Sequence, residues 1–201
     1  MQIAGTFNEV VRQRGEVKAK KTDQELIEGC LNDDRVSQHE LYHRYASKMF
    51  VVCLRYAKTH EDAEDILIEG FLKVFTNLAY FKGKSSLGTW IHTVMVNSAI
   101  SYYRKHKKHI ETRFLEDYPT TEVQSIYFSE SDQISEKELL TLIQAIPEPF
   151  KTVFNLYAFE GYSYEQIAQM LDIHIGTARS RMSKGKAWLQ NKLKSINETI
   201  G

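Results

Sequence analysis

Residues 162–186 read YSYEQIAQMLDIHIGTARSRMSKGK, and this stretch decides the fold. Ser163-x-x-Gln166 is a capping box, so a short helix begins there and runs to about Leu171, with Ile167, Ala168 and Leu171 apolar. DIHIG then turns the chain, and a second helix is expected from near Thr177. On its wheel Ala178, Met182, Gly185 and Leu189 share one face; Thr177, Ser180, Ser183 and Lys184 are expected opposite, with Arg179 and Arg181 flanking. Helices over 136–146 and 148–159 would support this pair, completing a four-helix helix-turn-helix domain. In such a motif the second helix enters the major groove, where short polar side chains allow close approach and Arg or Lys reaches guanine edges and phosphates. The competing reading is a solvated basic helix end; the turn and the apolar supporting pattern favour groove binding.

From Arg179 to Lys194 every charge is positive, yet the chain of 201 residues has zero formal net charge. The compensating acid lies upstream. Between Glu111 and Glu148 there are nine acids and two bases, and ETRFLEDYPTTEVQSIYFSESDQI (111–134) reads as an acidic, flexible linker. A second basic cluster, RKHKKH (104–109), precedes it, beyond what a helix dipole alone explains. Zero net charge therefore hides two cationic surfaces separated by an acidic connector.

Three- and four-residue apolar spacing dominates the rest, so the chain is all-α. Thr22-x-x-Glu25, Thr59-x-x-Asp62 and Ser135-x-x-Glu138 open further helices, the second running to about Leu78. NLAYFKGKSS (77–86) reads as a loop, followed by a long helix over 87–108. Leu87, Trp90, Ile91, Val94 and Met95 form its apolar stripe, leaving Thr89, His92, Asn97, Ser101 and Arg104 outside it.

Composition sets outer bounds. Hydrophobic residues at 42% and charged residues at 26% are those of a folded globular chain. No apolar run is long enough for a membrane span, and the amino terminus lacks a signal core, so a cytoplasmic protein is expected. Cys30 and Cys53 read as buried hydrophobes in a reducing compartment. His39 and His43 share a helix face upstream of Cys53, but three loosely placed ligands without a fourth are a weak zinc site. No phosphate-binding glycine loop, nucleophile elbow or catalytic carboxylate pair is present; neither catalysis nor a cofactor is expected.

Four blocks in fixed order carry a family resemblance: DAEDILIEGFLKVF (62–75), YFKGKSSLGTWIHTVMVNSAISYYRKHKK (80–108), IPEPFKTVFNLYAFEGYSYEQIAQML (146–171) and IGTARSRMSKGKAWL (175–189). Together they resemble the extracytoplasmic-function class of bacterial RNA polymerase sigma factors. The resemblance implies two small helical domains, residues 21–110 and 135–197, after a 1–20 extension and around the 111–134 linker. The first would bind the clamp of core RNA polymerase and the downstream (minus-ten) promoter element. The second would bind the upstream (minus-thirty-five) element and the polymerase flap. An anti-sigma partner is also implied.

Residue by residue, the resemblance places clamp contacts on Asp65, Ile68 and Glu69, with Ile68 standing where the family carries Gln. Carboxylates one turn apart suit an Arg-rich partner. Strand separation falls to Phe81, Lys82, Gly83, Lys84, Ser85 and Ser86, with Trp90 beside it and Asn97 lining the pocket for an extruded base. Trp90 reads equally as core. Arg104, Lys105, Lys107 and Lys108 would hold phosphates, and Gly88 replaces a longer, commonly basic residue. Upstream-element contacts fall to Thr177, Arg179, Ser180, Arg181, Ser183 and Lys184. A stand-alone helix-turn-helix regulator explains the last block equally well, but not the aromatic and basic loop or the acidic pair in DILIEG.

Overall fold

A computed structural model describes residues 20–112 and 135–200, with side chains for all of these except 107–112, 136 and 196–200. The extension (apart from Lys20) and the linker after Thr112 lie outside the described residues, as do the side chains of Lys107 and Lys108. The described residues form eight α-helices and no strand. They are α1 (Asp23–Leu31), α2 (Arg35–Tyr56), α3 (His60–Asn77), α4 (Leu87–Thr112), α5 (Glu136–Ala145), α6 (Glu148–Ala158), α7 (Tyr164–Leu171) and α8 (Ile175–Ile200). By compactness the chain divides into a unit ending at Leu41 and a unit beginning at Tyr42.

Local chemistry sets the helix starts. All four expected capping boxes form: Thr22 with Glu25, Thr59 with Asp62, Ser135 with Glu138 and Ser163 with Gln166. At Thr59, for example, the hydroxyl accepts from the Asp62 backbone N–H at 3.1 Å while the Asp62 carboxylate accepts from the Thr59 N–H at 3.1 Å. Each pair satisfies two otherwise orphaned donors, and loss of such a cap costs about 1 kcal/mol. The expected loop after Asn77 begins instead with a single 3-10 turn, Leu78–Tyr80. The long helix runs four residues past Lys108, because HIET contains neither Gly nor Pro to stop it.

In the first unit, Asp34 caps α2, its carboxylate accepting from the N–H groups of Val36 (3.0 Å) and Ser37 (3.2 Å). The Ser37 hydroxyl and the Lys21 ammonium also donate to it, at 2.6 and 3.1 Å, and hold its pKa well below the usual carboxylate range.

In the second unit, α3 lies along α4. Gly70 allows the close approach: the place a Cβ would take is filled by the Met95 thioether. Leu67, Phe71 and Val74 are buried on α3, and Leu87, Ile91, Met95, Val96, Ala99, Ile100 and Tyr103 on α4. Trp90 and Val94, expected in the buried stripe, are only half-buried; the burial continues instead along Val96, Ala99, Ile100 and Tyr103. Cys30 and Cys53 are both buried. After residue 134, α8 crosses α6 and α7, and α4 also packs on α6 and α7.

Candidate polymerase and nucleic-acid interfaces

The acidic face of α3 is open. Asp65, Ile68 and Glu69 are all exposed, and Ile68 (55%) is joined by Leu72 at 63%, an apolar pair between carboxylates that the sequence reading missed. Glu69 is not fully available as drawn from sequence, because its Oε1 accepts from Lys73 at 2.6 Å one turn on. Beside this face lies a groove of about 400 Å³, lined in part by Tyr42, Phe50, His60, Glu64, Leu67 and Ile68. Apolar floor and acidic rim together suit a helix that carries both apolar and basic side chains.

The loop before α4 presents Lys82, Gly83, Lys84, Ser85 and Ser86 to solvent. Gly83 has φ 66°, a left-handed conformation that Gly adopts freely, and no atom lies near its missing side chain. Phe81 is half-buried with its ring 5.4 Å from Trp90, while Tyr80 is 74% exposed. Ser86 has a structural duty as well: its hydroxyl accepts from the Thr89 N–H at 3.1 Å and so caps α4. Trp90, Asn97 and Arg104 follow at seven-residue intervals, which keeps them along one line of the helix. Asn97 is exposed and Trp90 half-buried. Gly88, where a longer residue was expected, faces the Tyr45 ring; an added Cβ would lie 3.1 Å from its Cε1. A side chain there would require the Tyr45 ring to give way by a few tenths of an ångström.

Arg104 does not project freely. Its Nε donates to the Met170 carbonyl at 2.6 Å and its Nη2 to Gln169 at 3.4 Å, both at the carbonyl end of α7. Lys105 is exposed.

The helix-turn-helix forms with α7 and α8. Asp172 takes φ 52° to end α7, a left-handed cap that Asp tolerates better than most residues. The second helix begins at Ile175, two residues before the expected start, because the His174 Nδ1 accepts from the Gly176 N–H at 3.1 Å and caps it. Ala178, Met182, Gly185 and Leu189 are buried as one face. The opposite face departs from its expected exposure: Thr177, Ser180, Ser183 and Lys184 are half-buried. For Lys184 the reason is visible, since its ammonium lies 5.9 Å from the Phe150 ring centroid, on the side of the buried face. Arg179 is exposed, 5.9 Å from the Tyr164 ring centroid and 3.7 Å from Glu165. Arg181 turns toward α4, donating from Nη1 to the Tyr103 hydroxyl at 2.7 Å.

Sequence reasoning missed one feature of this surface. Tyr157 and Tyr164 stack with centroids 4.7 Å apart at 12°, placing an aromatic platform next to Arg179. Burial, then Tyr157, raises the Tyr164 phenol above its usual range, so it stays a neutral donor. The signal was present in the two tyrosines, but only the turn through Gly161 (φ 73°) brings them face to face.

Residues 41–109 match the family Sigma-70 region 2, and residues 136–189 match Sigma-70, region 4. The chain is 30% identical over 184 residues to the ECF RNA polymerase sigma-E factor of Haemophilus influenzae, covering 87% of this chain and 97% of that one. It is 28% identical to the ECF RNA polymerase sigma-E factor of Escherichia coli K12 (87% and 96% covered) and 25% identical to the RNA polymerase sigma-H factor of Pseudomonas aeruginosa (88% and 96%). A Bartonella quintana sigma factor RpoE, solved in complex with the anti-sigma factor NepR, superposes with a TM-score of 0.45 at 21% identity, covering 78% of this chain and 96% of that one. With both family matches in order along the chain and 30% identity over nearly the whole of the Haemophilus influenzae factor, the chain belongs to the extracytoplasmic-function class of RNA polymerase sigma factors and is a transcription initiation factor.

Proposed function

We propose that the chain works as two domains, residues 21–110 and 135–197, joined by the 111–134 linker, and does no catalysis of its own. Asp65, Ile68 and Glu69, with Leu72 beside them, dock on the clamp of core polymerase. Phe81, the 82–86 loop, Trp90 and Asn97 receive the downstream element as it opens, with Arg104, Lys105, Lys107 and Lys108 on its phosphates. Thr177, Arg179, Ser180, Arg181, Ser183 and Lys184 read the upstream element in the major groove, near the polymerase flap. An anti-sigma partner holds the protein in reserve, and the site of action is the cytoplasm; no described helix is long and apolar enough to cross a membrane.

The observation that carries this reading is the co-occurrence of an exposed acidic and apolar face on α3 with two cationic elements, in a chain of zero net charge. A protein that finds DNA unaided relies on strong counterion release. A polymerase subunit needs only local patches, since the enzyme supplies the rest. The stand-alone regulator leaves the α3 face without a use and is not favoured. Reconstitution with bacterial core polymerase, followed by sequencing of transcript starts, tests the choice. Defined starts with core and no operator binding without it are expected; the reverse would reject the reading.

Two substitutions test the division of roles. Lys184→Ala should weaken promoters that depend on the upstream element by about 1 kcal/mol, and leave output from promoters lacking it unchanged. Asn97→Ala should alter base preference at the downstream element, measured across a promoter library. Equal activity on every downstream variant would remove Asn97 from the pocket.

A further inference from the structure

A basic residue stands beside the acidic face of α3, although a surface that meets a basic partner gains nothing from its charge. Lys73 lies one turn beyond Glu69, and its Nζ donates to Glu69 Oε1 at 2.6 Å. Glutamate four residues before lysine is the favourable order on a helix, yet an exposed pair of this kind contributes little by itself. This pair has an anchor. Lys73 Nζ also donates to the Ser98 hydroxyl of α4 at 3.3 Å, and Ser98 is fully buried. The bond gives a buried hydroxyl its partner, and links α4 through the ammonium to the carboxylate.

Gly70 is what lets the lysine reach. By bringing α3 close to α4, it puts Ser98 Oγ within 3.7 Å of where a Cβ on Gly70 would lie. Lys73, three residues on, shares that side of α3. Its side chain is 38% exposed and that of Glu69 50%, so the ammonium sits at the edge between the helix contact and the open face. Neither bond occupies Glu69 Oε2, which remains to accept from another donor.

We propose that Lys73 is a positioning residue for polymerase docking: tethered by Ser98, it fixes the Glu69 carboxylate with one oxygen held and the other presented to a basic side chain of the clamp. This role rests on the docking function assigned to Glu69 above. A glutamate that enters an interface already ordered loses less rotamer freedom on binding than one that swings free. Charge alone gives the opposite sign, because a lysine on this face repels a basic partner.

The affinity of the full chain for bacterial core polymerase, measured by competition against labelled wild type, separates the two effects. Lys73→Met makes the face more negative, so charge complementarity gives tighter binding, whereas loss of positioning should make it about fivefold weaker. Ser98→Ala changes no charge and should weaken binding about threefold through the lost tether. Lys73→Met combined with Glu69→Gln should bind no more weakly than Glu69→Gln alone, since Lys73 acts through that carboxylate. An affinity of Lys73→Met equal to or above wild type overturns the proposal, as does a double variant whose losses add. Unchanged affinity in Ser98→Ala also overturns it, because the tether then does nothing. If thermal unfolding shows that Lys73→Met does not fold, Ser98→Ala decides alone: weaker binding supports the role and unchanged binding overturns it. Wild-type affinity in Glu69→Gln, or no binding by the wild-type chain, would instead reject the docking function of α3 itself, and the role of Lys73 with it.

Discussion

A Leu189→Ala chain should lose about 3 kcal/mol of stability, within the 2–5 kcal/mol range for emptying a buried leucine site. Leu189 is fully buried on α8, one turn beyond Gly185. The face that seats α8 consists of Ala178, Met182, Gly185 and Leu189, and two of those four have almost no side chain to contribute. Gly185 is needed for close approach, since a Cβ there would lie 3.3 Å from the Phe150 Cβ. Leu189 therefore carries a disproportionate share of the apolar contact. Urea denaturation followed by circular dichroism should show a lower midpoint with little change in slope. A loss under about 0.5 kcal/mol, as for a surface substitution, would mean that α8 is held elsewhere. Upstream-element use should fall with stability, because the same helix presents Thr177 through Lys184.

The second large effect is a pH dependence at Lys151. This ammonium is 1% exposed and donates to the carbonyls of Ala57 (2.6 Å) and Gln144 (3.3 Å). Burial drives its pKa down from 10.5 to about 8, a shift that Glu148 and Asp62 partly oppose and Lys58 assists. Between those two values the unfolded chain holds the proton and the folded chain has released it. The unfolded state thus binds more protons, and stability must rise with pH across that window. The contribution is absent below pH 8, where both states are charged, and complete above 10.5, where it reaches about 3 kcal/mol. Tyr56, Tyr102 and Cys53, all shifted upward mainly by burial, push stability the other way as pH rises. Comparison with Lys151→Met cancels them. The stability of wild type relative to that variant should climb from pH 8 to 10.5; a flat difference would mean that Lys151 is solvated in the folded protein.

How far the sequence could be read followed the range of the interactions involved. Capping boxes act over three residues, so the starts of α1, α3, α5 and α7 were legible, as was the buried face of α8 from its helical spacing. The acidic pair on α3 was legible too, since residues 65 and 69 are neighbours on any helix. Trp90 was not resolvable, because a stripe on a wheel does not say how wide the partner surface is; it is half-buried beside Phe81. The start of α8 at Ile175 depended on a cap from the His174 ring, which no common capping pattern includes.

By itself, then, the sequence determined the helices, their order and the family, because periodicity, caps and motif spacing are properties of neighbours along one chain. Only the tertiary structure decided that the Tyr45 ring lies against Gly88, that Tyr157 stacks on Tyr164, and that Glu160 meets Arg55 from 105 positions away. Contacts of that kind depend on which helix faces approach one another, and a charged side chain reads the same in sequence whether it faces water, DNA or a buried partner.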